Sequence, residues 1–202
     1  MGDVKLGGGG DGAAGIAPSP QPPPARGGGG FSTSFATAVL GIGNCDRGDD
    51  AVGRIVARLL RGRVPATVRI VEHDGEATAV LAELQGLRRV WVIDAAQSGA
   101  PPGTVHRIDC SVTDAAVPSG SVSSHGFGVA EAIGLARALG TLPPLCIVYA
   151  IEAAHFTPGA ALSSAVTQSA HDVAERILAE LATPLQPSSH HPPHPVPATD
   201  HR

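Results

Sequence analysis

Aromatic side chains make up only 3% of the 202 residues, which leaves few rings on which single-stranded bases could stack. Basic residues are scarce too: 14 Lys and Arg stand against 18 Asp and Glu, for a net charge of −4. A general nucleic-acid binder needs a basic stripe to displace counterions from phosphates, and that balance is missing here. Cysteine occurs only as Cys45, Cys110 and Cys146. No CxxC pair exists, which excludes a zinc knuckle or a thioredoxin-type redox motif. Scattered thiols suit a reducing compartment. No apolar run approaches the ~18 residues of a membrane span, and no signal-peptide core follows Met1. The expectation is a cytoplasmic protein that engages neither nucleic acid nor membrane.

Glycine and proline, by contrast, are plentiful and gather at the two ends. Gly7–Gly10, Gly27–Gly30 and the prolines between Pro18 and Pro24 would lose more chain entropy on folding than their burial returns. Residues 1–35 therefore read as a disordered leader. Residues 183–202 read as a disordered tail, with Pro184, Pro187, Pro192, Pro193, Pro195 and Pro197 among His190, His191, His194 and His201. That histidine tract reads as solvated chain rather than as a defined metal site.

Residues 36–182 alternate regularly. Apolar runs at 38–42, 68–71, 90–93 and 145–151 read as strands, and Thr104–Ile108 as a further one near an edge. Helical spacing recurs from Val52 to Leu60, from about Glu76 to Leu87, from Gly126 to Leu139, and through Leu162–Leu181. The order βαβαββαβα predicts an α/β fold, a three-layer α/β/α sandwich with a mostly parallel central sheet and helices on both faces. Ligands of such sheets bind beyond the carboxyl ends of the strands. Asp49 and Asp50 follow the first strand, Asp94 closes the third, and His125 opens the third helix.

Gly41-Ile42-Gly43-Asn44 resembles the start of a dinucleotide-binding turn, but Asp46 stands where the third glycine belongs. Three aspartates, Asp46, Asp49 and Asp50, would also repel a pyrophosphate there. The same acids favour a cation. Structural readings compete with that one: either member of Asp49-Asp50 could cap the following helix, and Asp94 could bond a neighbouring loop. His125 could simply sit at a helix entry behind the better caps Ser123 and Ser124. Taken together, two carboxylates and one imidazole make an open set suited to a borderline divalent ion. No G-x-S-x-G elbow is present. His106, His155 and His171 have no acidic or cysteine partner at motif spacing.

The ordered motifs resemble the hydrogenase maturation endopeptidases. Gly41-Ile-Gly-Asn44 with Gly48-Asp49-Asp50-Ala-Val-Gly53 is similar to their N-terminal signature. Val92-Ile93-Asp94-Ala95 with Pro102-Gly103-Thr104 is similar to their middle motif, Ser124-His125-Gly126 to their histidine helix, and Leu162–Val166 to the start of their closing helix. The chain has Glu76 where their aspartate–glycine loop more usually has a second glycine. The resemblance implies nickel ligation by Asp50, Asp94 and His125. It also implies removal of a C-terminal extension from a nickel-loaded hydrogenase large subunit, with the nickel supplied by that precursor. Asp49 would support the Asp50 loop or cap its helix, and the protein is expected to be a monomer. Two other readings are a peptidase of this fold acting on another precursor and a nickel-binding accessory that docks precursor without cutting it.

Overall fold

The computed structural model describes Gly2, residues 36–112 and residues 128–183; His125, residues 3–35 and residues 184–202 lie outside the described residues. The first strand, β1 (Thr37–Ile42), is buried along nearly its whole length. It leads through a 3-10 turn (Gly48–Ala51) into α1 (Val52–Leu60). Then come β2 (Val68–His73), α2 (Ala77–Leu84), β3 (Arg89–Ala96), β4 (Val105–Asp109), α3 (Val129–Ala138), β5 (Leu145–Glu152) and α4 (Ser164–Ala182).

The strands form one sheet in the order β2-β1-β3-β5-β4. All pairings are parallel except that of the edge strand β4 with β5. Apolar side chains fill both faces, as a covered parallel sheet requires. On one face Val39, Trp91, Ile93, Ile147 and Ile151 pack with α1 and α4. On the other, Leu40, Val90, Val92 and Val148 pack with α2 and α3. The three-layer expectation holds.

Several boundaries differ from the sequence reading, and two of them have a clear local cause. β3 runs past Asp94 to Ala96, because Ala95 and Ala96 continue the parallel register with Ile151 and Glu152. α2 stops at Leu84, ahead of Gly86 with its positive φ of 73°. Glu76 itself is the cap of α2: its carboxylate accepts from the backbone N–H groups of Thr78 and Ala79. Those groups have no partner within the helix, so a glutamate at this position stabilises the α2 start.

Chain direction brings β1 and β3 side by side, with Gly41 opposite Ile93. From β1 the chain crosses over to β2 on one side, while the later strands extend the sheet on the other. The carboxyl ends of β1 and β3 therefore flank the switch point at which open α/β sheets bind ligands. Helix α1 approaches these strands closely at a glycine. A Cβ on Gly53 would lie 2.2 Å from the Ile93 carbonyl oxygen and 2.3 Å from that of Ile42.

Gly53→Ala should therefore lower stability by about 3 kcal/mol, through overpacking that backbone atoms cannot relieve. Gly134→Ala provides the contrast, since nothing lies within 4 Å of a Cβ there; better helix propensity should raise stability by about 0.5–1 kcal/mol. Urea unfolding followed by Trp91 fluorescence measures both, and equal effects would contradict the packing analysis.

Candidate active site

Asp49 and Asp50 both lie in the 3-10 turn after β1, and both are fully buried. Neither caps a helix in the way the sequence allowed: the residue preceding α1 is Ala51, and no side chain caps that helix. Asp49 turns instead toward the segment between β5 and α4. Its carboxylate accepts from the backbone N–H groups of Ala154 at 2.8 Å, His155 at 3.3 Å and Ser163 at 2.6 Å, and from the Ser163 hydroxyl at 3.0 Å. Its own N–H donates to the His155 carbonyl, and Gly159 N–H donates to the Asp46 carbonyl. Ser163 precedes α4, so Asp49 places negative charge at that helix's N-terminus, where the helix dipole favours it.

This clasp sets the turn that presents Asp50. Gly43 packs directly against it, since a Cβ on Gly43 would come within 1.8 Å of the Asp50 carbonyl oxygen. The ring of His155 lies against Gly48, with Nδ1 2.7 Å from where a Cβ would stand. Arg47 lies 3.7 Å from Asp50 Oδ2 and extends over the Phe156 ring at 5.9 Å.

The turn rests against β3, whose Asp94 is only 4% exposed. The Ala95 N–H donates to Asp94 Oδ1 at 2.9 Å. Burial nevertheless pushes the Asp94 carboxyl up to about 7; the Ala95 bond opposes the shift and the charge of Asp50 adds to it. The Asp50 turn thus lies against β3 at the switch point, where the charge of Asp50 acts on Asp94. His125 falls outside the described residues, although α3 begins at Val129, shortly after it. Among the described residues, no three metal-ligating side chains cluster.

Sequence spacing missed one pairing nearby. His106 on β4 and Asp94 on β3 both align with Ala150 of β5. His106 Nε2 lies 3.3 Å from Oε1 of Glu152, which is buried and accepts from the Ser98 N–H and hydroxyl. Register across an antiparallel edge creates that contact, and no linear motif encodes it.

Asp94 has a thermodynamic consequence in metal-free protein. Its folded pKa exceeds the unfolded value near 4, so the folded state binds the extra proton between those limits. The contribution of this one group to stability is greatest below pH ~4 and declines as pH rises to about 7, by at most about 1.4 kcal/mol per pH unit. Asp94→Asn should remove that slope, matching wild type near pH 4 and exceeding it at pH 8. Chemical denaturation across this range, with chelator present, tests this; parallel wild-type and variant profiles would rule out a buried protonated Asp94.

Comparison with known proteins adds the family. A model of the hydrogenase maturation proteases matches residues 54–180, more than half of the chain. The match includes Asp94 and His125 and begins just after Asp50. No curated protein matches. Among solved structures, the hydrogenase maturating endopeptidase HybD from E. coli is similar, with a TM-score of 0.62 and 24% identity over 72% of this chain and 91% of that one. The [NiFe] hydrogenase maturation protease HycI from Thermococcus kodakarensis KOD1 gives a TM-score of 0.57 and 23% identity over 76% and 96%. HybD from Thermococcus kodakarensis gives 0.54 and 20% over 73% and 99%. These structural likenesses carry the fold, and the family model carries the membership: the chain belongs to the hydrogenase maturation protease family.

Proposed function

We propose that this protease removes a C-terminal extension from the large subunit of a [NiFe] hydrogenase after nickel insertion, and that Asp50, Asp94 and His125 recognise the inserted nickel. The observation that carries this reading is the buried Asp50–Asp94 pair at the β1–β3 crevice. The charge of Asp50 adds to the burial that holds the proton on Asp94. A divalent cation brought in by the substrate reverses that balance, letting Asp94 release its proton and both oxygens turn to the ion. Imidazole from His125 completes a mixed oxygen and nitrogen donor set suited to a borderline metal.

Nickel is here part of the substrate, and it supplies concentrated positive charge beside the bond to be cut. Asp49 holds the Asp50 turn in register for that encounter. Hydrolysis also needs an activated water, either polarised by the ion or deprotonated by a carboxylate oxygen that the ion does not engage. Cleavage is then conditional on a loaded precursor, because an empty one leaves the ligand set incomplete. The unpaired cysteines fit work in the cytoplasm, and no helix among the described residues is long and apolar enough to cross a membrane. The protease acts as a monomer in this reading.

Replacing a partner outside the ligand shell of a metal site already costs 10–100-fold, so losing a ligand should exceed about a hundredfold. Asp50→Asn and His125→Gln should each abolish truncation of nickel-loaded precursor, read as the mass of the large subunit, while circular dichroism stays native. Nickel-free precursor should remain uncut by wild type. Normal cutting by either variant would remove that residue from the site.

A further inference from the structure

Arg54 and Arg58 on helix α1 and Arg61, the residue just past its end, all reach Glu72 on the edge strand β2. Arg54 Nε lies 3.2 Å from the carboxylate, Arg58 Nη2 2.7 Å and Arg61 Nη2 2.8 Å. A single arginine would suffice to tie the helix to β2 and to charge that sheet edge against unwanted pairing. Three guanidiniums around one carboxylate leave an excess of positive charge on a chain whose net charge is −4.

The excess faces outward. Glu72 is 12% exposed, whereas Arg54, Arg58 and Arg61 are 29%, 47% and 59% exposed. Donor capacity is left over as well. Beyond Glu72, Arg58 Nη2 donates to the Cys45 thiol sulfur at 3.2 Å, a weak acceptor. The cluster also adjoins the candidate active site. Arg54 Nη1 lies 3.5 Å from the Gly43 carbonyl oxygen, and Gly43 packs on the Asp50 carbonyl.

The geometry points to a docking surface for a carboxylate of the precursor: Arg54, Arg58 and Arg61 hold the segment that is cut off while the crevice holds the nickel side. This rests on the proposed function, because the removed piece is then a C-terminal extension and necessarily ends in an α-carboxylate. Acidic side chains within the extension offer the same chemistry. Guanidinium suits either, since its planar fork matches a carboxylate with two parallel N–H bonds. Glu72 keeps the fork splayed and in place between encounters.

Binding can be read without cleavage. The probe is the synthetic extension peptide of the large-subunit precursor, labelled with fluorescein at its N-terminus and followed by anisotropy against the full chain. Wild type should bind it with an affinity that falls as salt rises from about 50 to 300 mM, the range over which exposed charges become screened. Arg58→Ser and Arg61→Ser, which leave Arg54 on Glu72, should each weaken binding about tenfold. Amidating the peptide C-terminus should have that effect if the α-carboxylate is the ligand; Glu→Gln and Asp→Asn changes in the peptide should have it if side chains are.

In precursor processing the same protein variants should raise KM about tenfold with kcat within about twofold, the pattern of lost uniform binding. Peptide binding that senses the arginines, with no precursor ever cut, would uphold the surface and remove the cleavage reading. Peptide affinity indifferent to salt, to both arginine variants and to every carboxylate change would overturn the docking surface, whether or not precursor is cut.

Discussion

One buried carboxylate underlies the geometry of this molecule's crevice. Asp49 has no exposure and is satisfied by bonds from Ala154, His155 and Ser163. A carboxyl group so deep is tolerable only when donors converge on it. Here those donors belong to the segment that joins β5 to α4. The interaction therefore locks three things at once: the 3-10 turn after β1, the exit of β5 and the start of α4. Asp50 is presented at the crevice because its neighbour is anchored behind it.

Asp94 illustrates the opposite use of burial. It has one backbone donor, from Ala95, and a like charge nearby in Asp50, so its carboxyl titrates near neutrality rather than near pH 4. Adjacent carboxylates thus play different parts according to how many donors each receives. Asp49 is spent on architecture. Asp94, with a single backbone donor, is the carboxylate that a metal-bearing partner would relieve most.

Much of this was legible in the sequence, for identifiable reasons. Covered parallel strands announce themselves as apolar runs, and the helices between them keep a 3.6-residue period, so element order and layers followed directly. Asp50 and Asp94 were legible because strand ends converge on one rim whatever the loops do. For Asp49 the choice between supporting the Asp50 loop and capping a helix stays open in the sequence, because the partners that decide it lie 105 to 114 residues away in the chain. Glu76 read as a departure from a glycine-rich loop, yet the fold uses it as the cap of α2. The contact of His106 with Glu152 depends on antiparallel register at β4. The arginine cluster needed the docking of α1 on β2 before its charge excess became visible.

The account centres on an incomplete ligand set that the substrate's own nickel completes. Nickel-edge X-ray absorption on loaded precursor, alone and in complex with the protease, addresses it directly. Binding of the wild-type protease should add oxygen and nitrogen scatterers to the nickel shell, and Asp50→Ala should remove part of that change while the complex persists on gel filtration. A nickel shell identical in free and bound precursor, with the complex demonstrably formed, would contradict the account.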